Sequence, residues 1–227
     1  MNNKIAVIMY GPQGAGKGTQ AELLANKFNL YHFDTGDFLR KLLYDSKNKN
    51  NKEIRKERKI NESGNLNTPR FVLNAVKKRT QELAKLGQSL VYSGSPRTWF
   101  EAFGDDKNKG LFTVLEKIYN RKNIYIFILK ISEKESIKRT ISRFMCSVCG
   151  TPLMAFYKSA RFCPFCGGKI KQRKDDNLAS IIERLKEYRE RTRPIFKELK
   201  KRKFKVIELG GAPAPYKIHQ KILSYLK

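Results

Sequence analysis

Gly11-Pro12-Gln13-Gly14-Ala15-Gly16-Lys17-Gly18-Thr19-Gln20 decides the fold. It follows an apolar run, Ile5-Ala6-Val7-Ile8-Met9-Tyr10, of the kind a buried strand presents. It precedes Ala21, Leu24, Ala25 and Phe28, which fall at helical spacing. Strand, glycine-rich loop and helix in that order make a phosphate-binding loop. Glycines carry no side chain to hold a polyphosphate off the backbone, so N–H groups can turn inward. The helix that starts there adds the positive end of its dipole. Gly14, Ala15, Gly16, Lys17, Gly18 and Thr19 are therefore expected to hold the phosphates of a nucleotide, with Lys17 as a point charge on the β- and γ-phosphates. In most such loops a Ser or Thr follows the lysine directly and binds magnesium; here Gly18 intervenes and the hydroxyl comes at Thr19.

Outward from this loop, apolar runs at 4–10, 29–33, 89–93, 124–130 and 204–208 alternate with helical patterns. The helices are expected over 17–28, 35–45, 51–61, 68–86, 111–121, 133–144, 177–202 and 214–226. Alternation of this kind predicts an α/β fold with a central five-stranded parallel sheet flanked by helices. Tyr125-Ile126-Phe127-Ile128-Leu129 is apolar without interruption, which suits a strand covered on both faces. Two segments break the rhythm. Residues 41–68 are polar, basic and helical, and residues 145–172 hold all the cysteines. Insertions at the carboxyl ends of strands are where mobile lids sit. The expected division is core 1–40, insertion 41–68, core 69–144, lid 145–172 and core 173–227. Residues 104–110 read as an exposed loop.

The 227 residues carry 48 Lys and Arg against 21 Asp and Glu, a formal net charge of +27. Such a balance fits an acidic partner, but the lysines are spread along the chain rather than gathered in a block, and they recur with Asn and Ile, as A/T-rich codons would give. Basic residues cluster only over 47–59. Nucleic acid is accordingly not the expected partner. No run is long enough to span a bilayer and no secretory pattern opens the chain, so the expectation is a cytoplasmic protein with no membrane contact. In that setting Cys146-x-x-Cys149 and Cys163-x-x-Cys166 predict a structural zinc site of four thiolates rather than disulfides. Gly150 and Gly167, just after each pair, allow the tight knuckles such a site needs.

Transfer of a phosphoryl group between two nucleotides requires no side-chain nucleophile. Two anions must be held against each other, developing charge neutralised and water excluded. Guanidinium groups do this well, because they are planar, always charged and bind phosphate through two N–H groups. The motifs that carry arginine here are Thr35-Gly36-Asp37-Phe38-Leu39-Arg40, Gly94-Ser95-Pro96-Arg97-Thr98, Arg139-Thr140-Ile141-Ser142-Arg143, Arg173-Lys174-Asp175-Asp176, and Arg184-Leu185 followed by Tyr188, Thr192 and Pro194. With the Gly-Lys-Gly-Thr variant of the loop, and in this order over nearly the whole chain, they resemble the adenylate kinases, specifically those with a zinc-bearing lid.

The resemblance implies a P-loop kinase fold with a helical monophosphate-binding insertion and a zinc-ribbon lid. It implies phosphoryl transfer from MgATP to AMP, giving two ADP, by a monomer with no obligate protein partner. Lys17, Arg97, Arg143, Arg173, Arg184 and Asp175 would then be catalytic, with Arg139 and Arg143 on ATP. Thr35, Arg40, Leu66, Asn67, Gly94, Arg97 and Glu101 would line the AMP site. Two departures bear on this. The family's Asp at the end of the third strand, which orders magnesium through its water shell, is here Ser93; Asp175, Asp176 or the nucleotide phosphates could compensate. The family's Gln facing the acceptor adenine is here Glu101, and an ionised carboxylate only accepts hydrogen bonds, which suits guanine better. GMP, or with less support UMP or CMP, thus stays open as acceptor. So do a nucleotide-binding regulator with reduced turnover, motivated by Ser93, and a basic zinc-ribbon protein that binds nucleic acid. His32 and His219 read as structural, and Trp99 as packing beneath the acceptor lid.

Overall fold

Every residue of strand β1 (Ala6–Tyr10) is buried. A run with no polar face needs cover on both sides, which is the situation of a central parallel strand. The computed structural model describes residues 4–63, 65–153, 160–172 and 176–226. In it β1 lies between β3 (Leu90–Ser93) and β4 (Ile124–Lys130), with β2 (Tyr31–Asp34) outside β3 and β8 (Lys205–Gly210) outside β4. All four pairings are parallel. The order β2-β3-β1-β4-β8 places the reversal of winding at β1, and a ligand crevice opens beyond the carboxyl ends of strands at such a point.

The alternation of β1 divides the core. Ala6, Ile8 and Tyr10 face one cluster with Leu73, Val76, Phe112, Leu115, Ile195 and Leu199. These belong to α4 (Pro69–Lys85), α6 (Leu111–Tyr119) and α9 (Arg193–Lys201). Val7 and Met9 face the other, with Leu24, Phe127, Ile218 and Ile222, under α1 (Lys17–Phe28) and α10 (Pro215–Leu223).

Two units stand out from this sheet. The first holds α2 (Thr35–Tyr44) and α3 (Lys52–Glu62). Asp34 caps α2 by accepting from the Asp37 N–H at 3.0 Å, and Asn51 caps α3 through the Ile54 N–H. The second is a three-stranded antiparallel sheet, ordered β6-β5-β7, of β5 (Phe144–Cys146), β6 (Pro152–Leu153) and β7 (Ile170–Gln172).

Four of the differences from the expected elements have a physical reason that the structure shows. The helix expected over 133–144 is α7 (Glu133–Ile141); Ser142 turns its hydroxyl back onto the Lys138 carbonyl and Phe144 enters β5. The single helix expected over 177–202 is α8 (Leu178–Glu187), a wide π-type turn over Tyr188–Thr192 and α9. Pro194 lacks the N–H an α-helix would require there, and the turn widens to pass it. The strand expected over 29–33 begins at Tyr31, because Asn29 takes a left-handed conformation as the cap of α1. A short helix absent from expectation, α5 (Trp99–Phe103), is started by Thr98 and Glu101 in a reciprocal cap. The 104–110 loop has an exposed tip, but Gly110 is buried where the loop closes on Gly104 through Lys109. Among the described residues no helix is long and apolar enough to cross a membrane.

Candidate active site

The loop after β1 carries positive φ at Gly11, Gly14 and Gly16, conformations that side-chain-bearing residues rarely take. At Gly14 space is short as well: a Cβ would meet the Ser136 carbonyl and the Thr140 hydroxyl at 3.1 Å. Ser136, buried on α7, donates to the Gln13 carbonyl at 2.6 Å and ties the loop to the next element. Lys17 Nζ donates to the carbonyls of Gly11 and Pro12 at 2.9 and 2.7 Å. Burial, then Arg97 and Arg143, pulls its ammonium down to about 7, and Asp34 opposes them. Ala15 is buried in the core, while Gly18 and Thr19 are exposed on the first turn of α1.

The same forces identify which cations meet. Arg97 and Arg143 both act on Lys17. Burial lowers Arg97 below the ordinary arginine value, with Arg184 adding to the effect and Glu101 opposing it. Arg97 and Arg143 thus lie near enough to act on Lys17, and Arg184 near enough to act on Arg97, although α1, the β3–α5 turn, the lid root and α8 contribute them separately. Mutually repelling cations held together demand an anion. Arg143 is anchored by Asp176, whose carboxylate is buried and accepts from both Nε and Nη2. Arg173 and Asp175, expected here from the sequence, lie outside the described residues.

Arg139 bonds Glu135 through Nε and the Gly211 and Ala212 carbonyls through Nη1 and Nη2 at 2.8 and 3.0 Å. Beside it an open cleft of about 620 Å3 is lined by Lys130, Ile131, Ser132, Glu135 and Ala212. The cleft adjoins the phosphate loop through Ser136. The contacts to Gly211 and Ala212 had no signal in the sequence, since they join segments over seventy residues apart.

On the other side of β1, Thr35 is buried and its hydroxyl shares a 2.7 Å hydrogen bond with Ser95. Arg97 Nε donates to the Gly94 carbonyl at 2.6 Å. Arg40 lies half-exposed on α2, 3.6 Å from Asp37. Asn67 is buried and committed: its amide donates to the Glu57 carbonyl and carboxylate and accepts from Asn61. Leu66, next to it, is half-buried. Glu101 is 5% exposed and turned onto its own cap, accepting from the Arg97 N–H at 2.7 Å and the Thr98 hydroxyl at 3.0 Å. Burial raises its carboxyl above the usual value against those bonds. The Thr-x-x-Glu spacing of Thr98 and Glu101 is the sequence signal for this cap. Trp99 is exposed and packs edge-on against Phe103.

Ser93 ends β3 buried, its hydroxyl 2.8 Å from His32 Nε2, and His32 Nδ1 is 2.9 Å from Glu22 on α1. His32 is thus a bridge between α1 and the strand end.

In the lid unit, the four cysteine sulfurs lie within 4.8 Å of one another. Cys146 and Cys166 are 3.4 Å apart and Cys149 and Cys163 3.8 Å, too far for a disulfide and close to the edge of a zinc–thiolate tetrahedron. The Val148 and Cys149 N–H groups point at the Cys146 sulfur, as a thiolate would require. Gly150 and Gly167 both take positive φ, as the knuckle reading expects. Hydrogen bonds from Thr151 push the Cys149 thiol down to about 6. A metal site of this composition is closed, so it fits structure and not catalysis.

Comparison with known proteins adds lineage to this geometry. The family model for adenylate kinase matches residues 9–204. An adenylate kinase of Petrotoga mobilis is 30% identical over 225 residues, 97% of each chain. Those of Acetivibrio thermocellus and Elusimicrobium minutum are similar at 33% over 211 residues and 34% over 194, covering 90% and 83% of each chain.

Proposed function

The chain belongs to the adenylate kinase family, and is thereby a nucleoside monophosphate kinase; from that membership we propose that it moves the terminal phosphoryl group of MgATP reversibly to AMP, giving two ADP. The observation that carries the proposal is the chain of close cations beyond the phosphate loop, in which Arg97 and Arg143 act on Lys17 and Arg184 acts on Arg97. On this reading Gly14, Ala15, Gly16, Gly18 and Thr19 hold the donor phosphates by backbone and hydroxyl. Lys17 leaves the Gly11 and Pro12 carbonyls to span the donor phosphates. Arg139 walls the donor base in the cleft beside Ala212. Arg143 and Arg184, with Arg173 and Asp175, make up the catalytic set around the transferred group, and Asp176 holds Arg143 in place. Thr35, Leu66, Asn67, Gly94 and Glu101 shape the acceptor pocket, with Arg40 and Arg97 on its phosphate. Catalysis is then positioning and charge neutralisation.

Residues 1–40, 69–144 and 173–227 act as the core, 41–68 as the acceptor lid and 145–172 as the donor lid. The lid carries one structural zinc on Cys146, Cys149, Cys163 and Cys166. The enzyme works as a monomer in the cytoplasm with ATP, AMP and ADP as its partners. Adenine is favoured over guanine because the Glu101 carboxylate, the one group that argued for guanine, is engaged with the Arg97 and Thr98 cap. A coupled assay with AMP, GMP, UMP and CMP tests this: AMP should give the highest kcat/KM. A faster GMP reaction would overturn the adenylate reading, and Glu101→Gln would then be expected to shift preference back.

A further inference from the structure

The family's carboxylate at the end of the third strand is missing here, and β2 supplies another one residue position away in space. Asp34 ends β2 directly across the parallel register from Ser93, as Tyr31 is across from Leu90. Neighbouring strands stand about 4.8 Å apart, and residues in register share a face. Met9 of β1 is in register with Ser93 in turn. Asp34 and Ser93 therefore end two strands, and Met9 lies one residue short of the end of a third, on the face that α1 covers, and α1 begins with Lys17. The electrostatic neighbours agree: Asp34 is the acidic group acting on both Lys17 and Arg97.

Among the described residues, the other carboxylates near the site are occupied. Asp176 is buried in its pair with Arg143. Glu135 is paired with Arg139, Glu101 with its cap, and Asp37 with Lys41 and Arg40. Asp34 uses Oδ1 to cap α2. Among the described residues no ammonium or guanidinium lies within 4.0 Å of it, and Oδ2 makes no hydrogen bond. Ser93 is positioned to assist. Glu22 can only accept, so in the neutral ring His32 Nδ1 carries the hydrogen and Nε2 accepts from the Ser93 hydroxyl. The Ser93 oxygen then keeps its lone pairs for the site.

We propose that Asp34 is the carboxylate that orders the hydrated magnesium of the bound nucleotide, acting through metal-bound water with the Ser93 oxygen beside it. Magnesium keeps several of its waters when it rides on nucleotide phosphates, so a carboxylate serves it without direct ligation. The charge lost from position 93 is restored one strand over. Asp34 is thus a positioning residue, and the inference rests on the MgATP reading above.

The test is equilibrium binding of a non-hydrolysable ATP analogue to the full chain, titrated with magnesium, alongside kinase rates. Asp34→Asn retains an oxygen to cap α2 and removes only the charge. Its melting temperature should match wild type, while the magnesium needed for half-maximal analogue binding should rise about tenfold. Ser93→Asp added to that variant should restore the wild-type value, as should the exchange Asp34→Ser with Ser93→Asp, which is read even if Asp34→Asn folds poorly. An unchanged magnesium requirement in Asp34→Asn, or a change only in metal-free affinity, would overturn the proposal, as would failure of the exchange to restore it. A wild-type protein that neither binds the analogue nor transfers phosphoryl would refute the underlying reading instead.

Discussion

Lys17 is held in two competing environments. Two backbone carbonyls solvate its ammonium, while burial and the neighbouring Arg97 and Arg143 disfavour the charge and bring it to about 7. The sign of the consequence is fixed. Because the folded value lies below the ordinary 10.5, the unfolded chain binds more protons between about 7 and 10.5. Across that window this lysine makes the nucleotide-free fold more stable as pH rises, and its penalty is full below about 7. A polyphosphate reverses the balance by giving the ammonium an opposite charge. Nucleotide binding should therefore take up close to one proton at pH 8 and almost none at pH 6. Calorimetry in buffers of different ionisation enthalpy measures that uptake directly, and Lys17→Met should abolish the difference between the two pH values. Equal uptake at both would mean that the lysine is already charged in the free protein.

At the scale of elements, the lid is the part whose stability depends on chemistry rather than on core. It is a three-stranded sheet with very short strands, and of the sulfurs that tie it together Cys149 and Cys166 are exposed. A unit this small buries too little apolar surface to hold itself together, so zinc binding is expected to contribute its folding free energy. Protein purified without added zinc should carry one zinc by mass spectrometry. Chelation, or Cys163→Ser, should lower the melting temperature and raise the KM for ATP while leaving part of nucleotide binding to the phosphate loop. Absence of zinc, or no change on its removal, would sink the idea; loss of chemistry with stability intact would make the metal catalytic. The cysteine knuckles were legible because ligand spacing and the Gly150 and Gly167 conformations are local properties. So was the loop around Lys17, and the β1 and β4 runs that needed two covered faces. What escaped depended on distant partners or on single residues. The strands of the lid are too short to show a period, and Pro194 widens one turn without ending the helical pattern. Asp34 was passed over because only the pairing of β2 with β3 puts it beside Ser93.

Charge is a property of the whole molecule here. Many acidic side chains near the surface are already paired, as Glu116 is with Arg121, Glu198 with Arg202 and Glu208 with both Lys130 and Lys200. The excess of +27 is therefore carried largely by lysines and arginines without a carboxylate to answer them. They lie on α3, on α9 and the turn after it, and on α10, so they surround the protein instead of forming one stripe. Two effects of salt follow with opposite signs. Self-repulsion of like charges destabilises the compact state, and screening within a Debye length of about 8 Å at physiological ionic strength relieves it. The melting temperature should rise as sodium chloride is raised from about 10 mM to about 150 mM. Association with a polyanion should do the reverse, because the favourable contribution is release of counterions. Duplex DNA should bind at the low concentration, without preference for sequence, and be lost at the higher one. Both are read from one salt series, by thermal melting and by fluorescence anisotropy of labelled duplexes. Binding that persists at the higher concentration and selects among sequences would assign the charge to a nucleic-acid partner, and would make the basic lid a recognition element in addition to a cover for the donor site.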